Sequence, residues 1–172
     1  RTIPGRPAVK ALAEIFPKLI GALEFPKTMV WEETRVRFAR PVRSIVALYG
    51  ERVIPFSFAG IKTGRFTVGL SAKGSRKISI PSAEKYFKIL ENVNVLVVDE
   101  ERARTLAKEI EQVCKRTKLE VDADPELLRE NLYLVEYPVC VVGTYDQEYL
   151  KLPAELVHLV MKKQLKFFSV RD

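Results

Sequence analysis

Apolar positions follow a helical period from residue 6 to residue 23, at Val9, Leu12, Ile15, Phe16, Leu19, Ile20 and Leu23. Pro17 lacks an N–H and interrupts this period, which predicts a kink or two short helices. The period changes after residue 35. There the chain alternates as strand, turn, strand, with residues 42–50 and 52–58 flanking a Gly50-Glu51 turn. Gly60, Gly64, Gly69 and Gly74 punctuate a basic, loop-rich stretch, and residues 77–80 read as a further strand. Ser82 then caps a short helix reaching about residue 90.

The second half reads more sharply. Residues 95–98 form an apolar run expected as a buried strand, ending at Asp99, which would cap the longest helix, residues 100–118. Glu100–Arg104 and Glu111–Lys115 have the four-residue spacing that supports an exposed helix face. Its apolar side carries Leu106, Ile110, Val113 and Cys114, all expected in the core. Asp124 followed by Pro125 is a helix start, with a capping carboxylate and a proline where no N–H is needed. Residues 137–146 read as a strand, Pro153 opens a helix to about residue 164, and residues 166–170 close as a strand. Helices and strands interleave without regular βαβ units, so the fold class is α+β. We expect a mixed or antiparallel sheet flanked by helices, with a helical segment over residues 1–30 and an α+β module over residues 31–172.

Composition narrows the chemistry. No apolar run reaches the roughly 20 residues of a membrane span, so no membrane is expected and the location read is cytoplasmic. A start at Arg1 rather than Met predicts a piece of a longer protein. Two cysteines, Cys114 and Cys140, and one histidine, His158, are too few for a zinc site, so no metal is expected. Both thiols read as buried and reduced. His158 falls opposite Leu156, Leu159 and Val160, near Lys162, and reads as solvated. Neither a phosphate-cradling GxxxxGK[ST] loop nor GxGxxG occurs, and no catalytic residue is assigned.

The net charge of +7 favours a polyanion. Arg35, Arg37, Arg40 and Arg43 alternate with Val36, Phe38 and Val42. On a strand, Arg35 and Arg37 would share the outer face while Val36 and Phe38 face the core. That is either an ordinary charged face or a phosphate-binding one, since the guanidinium fork pairs two phosphate oxygens. The candidate RNA contacts are Arg35, Arg37, Arg43, Lys62, Arg65, Lys73, Arg76 and Lys77, with Lys162 and Lys166 near the C-terminus.

Residues 26–31 (PKTMVW), 38–41 (FARP) and 50–55 (GERVIP) resemble motifs of the beta subunit of bacterial heterotetrameric glycyl-tRNA synthetases. The resemblance continues through SAEKYFKIL, DEERARTLAKEI, LLRENLYLVEYPV and LKLPAELVHLVMKKQLKFFSVRD, covering nearly the whole chain in order. It implies a class II ligase that joins glycine to its tRNA. ATP and magnesium would act at the alpha subunit, with no cofactor in this segment. Glycine-specific tRNA, the alpha subunit and the remaining beta domains would be partners. The segment would resemble the editing-type module of the phenylalanyl-tRNA synthetase beta subunit. A non-catalytic module that binds or positions tRNA is the reading; a hydrolytic editing domain and a pure scaffold are the alternatives. The family's F-x-R-P pattern makes Arg40 a structural arginine, bonded to carbonyls or a carboxylate. Two departures stand out: residues 69–72 (GLSA) replace a GHRF-like element, and residues 164–168 (QLKFF) replace a QKYF-like one.

Overall fold

In the computed structural model, which describes residues 5–70, 76–122 and 124–171, the first apolar period folds as a helix, α1 (Ala8–Gly21). Pro17 lies inside it, and the helix runs through the proline as one element. The chain divides into two units, Arg1–Val93 and Asn94–Asp172, so α1 belongs with the strands that follow it.

In the first unit, α1 is followed by β1 (Ile45–Val46), β2 (Leu48–Tyr49), β3 (Arg52–Val53), β4 (Ser57–Phe58), β5 (Ile61–Gly64), β6 (Phe66–Val68), β7 (Lys77–Ser79) and α2 (Tyr86–Asn92). The strands form a mixed three-stranded sheet ordered β1-β5-β4, β1 parallel to β5, and the antiparallel pairs β2-β3 and β6-β7. The Gly50-Glu51 turn joins β2 to β3 as its sequence predicts, with Gly50 at φ 57°. Ala59 and Gly60 close β4 onto β5, both at positive φ (49° and 73°), the backbone shape two-residue hairpins favour. Thr63 locks this hairpin: its hydroxyl donates to the Ile54 carbonyl (2.7 Å) and accepts from the Phe56 N–H (3.0 Å). Ala47, Ile54, Ala59, Ile80 and Leu90 are buried. Phe16 packs edge-on against Phe56, while Phe38 meets both Phe25 and Phe58.

The second unit holds α3 (Asp99–Thr117), β8 (Glu120–Val121), α4 (Pro125–Leu134), α5 (Ala154–Leu159) and β9 (Val170–Arg171). β8 and β9 pair antiparallel, and a π-helical turn, Val160–Leu165, follows α5. The Asp124 carboxylate accepts from the Leu127 N–H at 3.0 Å, as the capping signal predicts. Leu106 and Val113 are buried as expected, whereas Ile110 and Cys114 are only half-buried, so the inward stripe of α3 is narrower than its sequence suggests.

Two expected strands are absent. Residues 95–98 form no ladder, and α3 begins at Asp99 with Val98 as its cap. The Leu96 N–H donates to the Glu136 carbonyl (2.9 Å) and its own carbonyl accepts from Arg102 (2.6 Å). Both backbone groups are thus satisfied without a neighbouring strand. Residues 137–146 likewise join no ladder, and Val141, expected inside, is 85% exposed. Cys140 is half-buried there, its N–H reaching the Glu109 carboxylate at 3.3 Å. Burial and the nearby Glu109 carboxylate raise its thiol pKa. No helix among the described residues is long and apolar enough to cross a membrane.

Candidate functional site

The arginine run is built on a turn rather than a strand. Glu32 gathers three donors on its carboxylate: the Thr34 N–H (2.8 Å), the Thr34 hydroxyl (2.5 Å) and the Val36 N–H (3.2 Å). The Thr34 hydroxyl bond leads the causes that hold this carboxyl below its ordinary pKa. The turn puts Arg35 at φ 55°, a left-handed conformation no strand residue adopts. A single bridge follows, Phe38 to Met29, before the chain moves on. The in-and-out alternation survives the loss of the ladder: Arg35 and Arg37 are exposed, Val36 and Phe38 half-buried.

Glu32 spends itself on backbone and threonine, so it neutralises no arginine. Arg35, Arg37, Arg40 and Arg43 are all exposed and make no side-chain hydrogen bond or ion pair among the described residues. For Arg40 this differs from the paired guanidinium its motif implied. Lys62 on β5, Arg76 and Lys77 are exposed as well. Arg65 is half-buried and donates to the Glu51 carbonyl at 2.9 Å, bracing the β2-β3 turn. Lys73 lies outside the described residues.

The C-terminal candidates are differently placed. Lys162 holds the Asp124 carboxylate at 2.5 Å, Lys163 reaches Glu126 at 3.5 Å, and Lys166 holds Glu130 at 2.6 Å. Asn131 adds hydrogen bonds to the Leu127 and Lys166 carbonyls, stitching the π-helical turn to α4. The hydrogen bond between Lys162 and Asp124 is the leading cause that raises the lysine pKa and lowers the aspartate pKa. These lysines are structural cations. Beside them, Asp122, Asp124, Glu155, His158, Lys162 and Ser169 help line an open groove of about 510 Å³, where the Ser169 hydroxyl and His158 Nδ1 lie 2.9 Å apart. His158 is exposed as expected, but Leu156, Leu159 and Val160, the apolar side opposite it, are exposed as well.

Another arginine with structural bonds is one that motif reading missed. Arg102, its side chain 12% exposed, donates to the Leu132 carbonyl (2.7 Å), the Leu96 carbonyl (2.6 Å) and the Asp99 carboxylate (2.6 Å). Its guanidinium also lies 5.8 Å from the Tyr133 ring centroid, and the Tyr133 hydroxyl donates to Asp99. The Asp99–Arg102 spacing of three was the available signal. The expected Glu100–Arg104 pair is instead a bond from Arg104 to the Glu100 carbonyl, while Glu111–Lys115 forms at 2.5 Å.

The division at Val93 also sorts the charge. The first unit has 17 Lys and Arg against 7 Asp and Glu, a net +10; the second has 12 against 15, a net −3. Net positive charge is therefore a property of the first unit.

Comparison with known proteins agrees over the whole length. The model of the glycyl-tRNA synthetase beta subunit family matches residues 1–172. The glycine–tRNA ligase beta subunit of Moorella thermoacetica is 41% identical over 166 residues, covering 96% of this chain and 24% of that protein. That of Desulforamulus reducens is 37% identical with the same coverage. The chloroplastic/mitochondrial glycine–tRNA ligase 2 of Arabidopsis thaliana is 36% identical over 171 residues, 99% of this chain and 16% of that protein. The chain thus spans about a quarter of the length of the bacterial relatives it matches. It belongs to the glycyl-tRNA synthetase beta subunit family.

Proposed function

We propose that this chain is the part of a glycine–tRNA ligase beta subunit that holds tRNA by its phosphates, through the arginine-bearing first unit. The ligase joins glycine to tRNA with ATP and magnesium at the alpha subunit, in the cytoplasm, and this chain contributes binding rather than bond-making. The observation that carries the reading is a set of exposed guanidiniums, Arg35, Arg37, Arg40 and Arg43, with no carboxylate partner among the described residues, in a unit of net charge +10. Such groups pair with phosphate oxygens at no cost in broken ion pairs, and phosphate contacts position a nucleic acid without reading its sequence.

The second unit supports a companion role. Val139, Val141, Tyr145, Leu150 and Leu159 are exposed, the kind of surface that the other beta-subunit domains or the alpha subunit would cover.

Steady-state aminoacylation by the whole ligase tests the proposal. Changing Arg35 and Arg37 together to Ala should raise KM for tRNA several-fold and leave kcat and the KM values for glycine and ATP unchanged, as loss of uniform binding does. A fall in kcat with KM for tRNA unchanged would contradict it.

A further inference from the structure

The first unit also carries a shallow apolar groove of about 220 Å³, lined by Val46, Leu48, Ala83, Tyr86 and Phe87. It is smaller than the roughly 300–1,000 Å³ typical of sites for drug-sized ligands, and is on the scale of one planar ring. Phe87 is 55% exposed although it sits on a short helix whose Leu90 is buried. Tyr86 holds it edge-on, ring centroids 5.5 Å apart and planes at 80°. The Tyr86 hydroxyl has no hydrogen-bond partner among the described residues. Lys85, next in sequence, is exposed and likewise unpaired among them.

An apolar slot with an exposed ring, a spare hydroxyl and an adjacent free cation, on a unit of net charge +10, matches one kind of occupant. We infer that Phe87 and Tyr86 form a stacking site for a single unpaired nucleobase of the bound RNA. Stacking satisfies the base's face, the tyrosine hydroxyl meets its polar edge, and Lys85 meets the neighbouring phosphate. Every base has a π face, so such a site accepts unpaired nucleotides with little sequence preference. The inference rests on the phosphate-binding reading above and adds a distinction between single-stranded and duplex RNA.

The test measures binding of the full chain to a short single-stranded oligoribonucleotide, to its annealed duplex and to an abasic strand of equal length, at two salt concentrations. Phe87→Ala should weaken single-strand binding about tenfold while leaving its salt slope and the duplex and abasic affinities unchanged; Phe87→Trp should restore single-strand affinity. Unchanged single-strand binding in Phe87→Ala, or an equal loss on duplex and abasic RNA, overturns the inference. If the Arg35 and Arg37 double variant loses affinity while Phe87→Ala does not, phosphate binding stands and the stacking site falls. If neither variant loses affinity, both fall. If Phe87→Ala weakens only association with a protein subunit, the groove belongs to that protein and the inference is overturned.

Discussion

The arginine run of the first unit and a set of paired cations in the second are treated in opposite ways. In the first, Arg35, Arg37, Arg40 and Arg43 stand exposed; Glu32 is occupied by Thr34 and Val36, and the adjacent Glu33 forms no ion pair with them among the described residues. In the second, Arg102, Lys115, Lys162 and Lys166 each close on a carboxylate within 2.6 Å. A count of basic residues therefore overstates what the second unit offers a polyanion. What decides availability is whether an internal acid has already taken the cation, because a phosphate must first displace it.

The largest expected effects test whether that contrast is one of surface charge alone. Ile80 in the first unit and Leu127 in the second are 0% and 2% exposed. Ile80→Ala and Leu127→Ala should each cost about 2–5 kcal/mol in urea melts, as core truncations do. A negligible loss at either would mean that unit lacks a packed core, and the units would then differ in more than charge.

Next comes the pair of arginines that sequence motifs confuse. Arg102→Met strands two carbonyls and takes one partner from the half-exposed Asp99 carboxylate, and should cost about 3 kcal/mol; Arg40→Met, removing an exposed side chain, should cost under about 0.5 kcal/mol. Equal losses would erase the distinction between committed and free guanidiniums.

A smaller effect follows pH. The Asp124 pKa is depressed, led by its hydrogen bond with Lys162, so its contribution is present above the ordinary carboxylate range and lost as pH falls through the depressed value. The Lys162 pKa is raised, so the same pair persists below the ordinary lysine range and is lost as pH rises through the raised value. Asparagine caps a helix as well as aspartate. Asp124→Asn should therefore be less stable than the wild type at neutral pH, with the gap closing as pH falls below about 4. A gap independent of pH would mean the ion pair contributes nothing.

Much of this was legible in sequence where local rules act alone. The helical period of α1, the Asp124-Pro125 start of α4 and the Gly50 turn each depend on residues close in the chain. In the failures, side-chain hydrogen bonds satisfy backbone groups that a ladder would otherwise serve. Residues 95–98 have strand composition, but Glu136, distant in sequence, and Arg102, on the first turn of α3, satisfy Leu96 and remove the need for a ladder. The arginine run alternates like a strand, yet one glutamate folds it into a turn. Of the candidate contacts, exposure at Arg35 and Arg37 followed from the alternation. The pairing of Lys162 and Lys166 did not, since their partners Asp124 and Glu130 lie far back in the chain. The charge partition needed only counting, but the boundary at Val93 that gives it meaning comes from packing.

The smallest changes, on exposed side chains, bear most directly on the central claim. tRNA affinity of the whole ligase should be measured across a salt series for the wild type, for Arg35 and Arg37 changed to Ala, and for Lys162 and Lys166 changed to Gln. The account predicts that the arginine double variant binds more weakly and that its slope of log affinity on log salt is shallower by about 1–2, while the lysine double variant keeps the wild-type slope. An unchanged slope in the arginine variant, or an equal drop in the lysine variant, would contradict it.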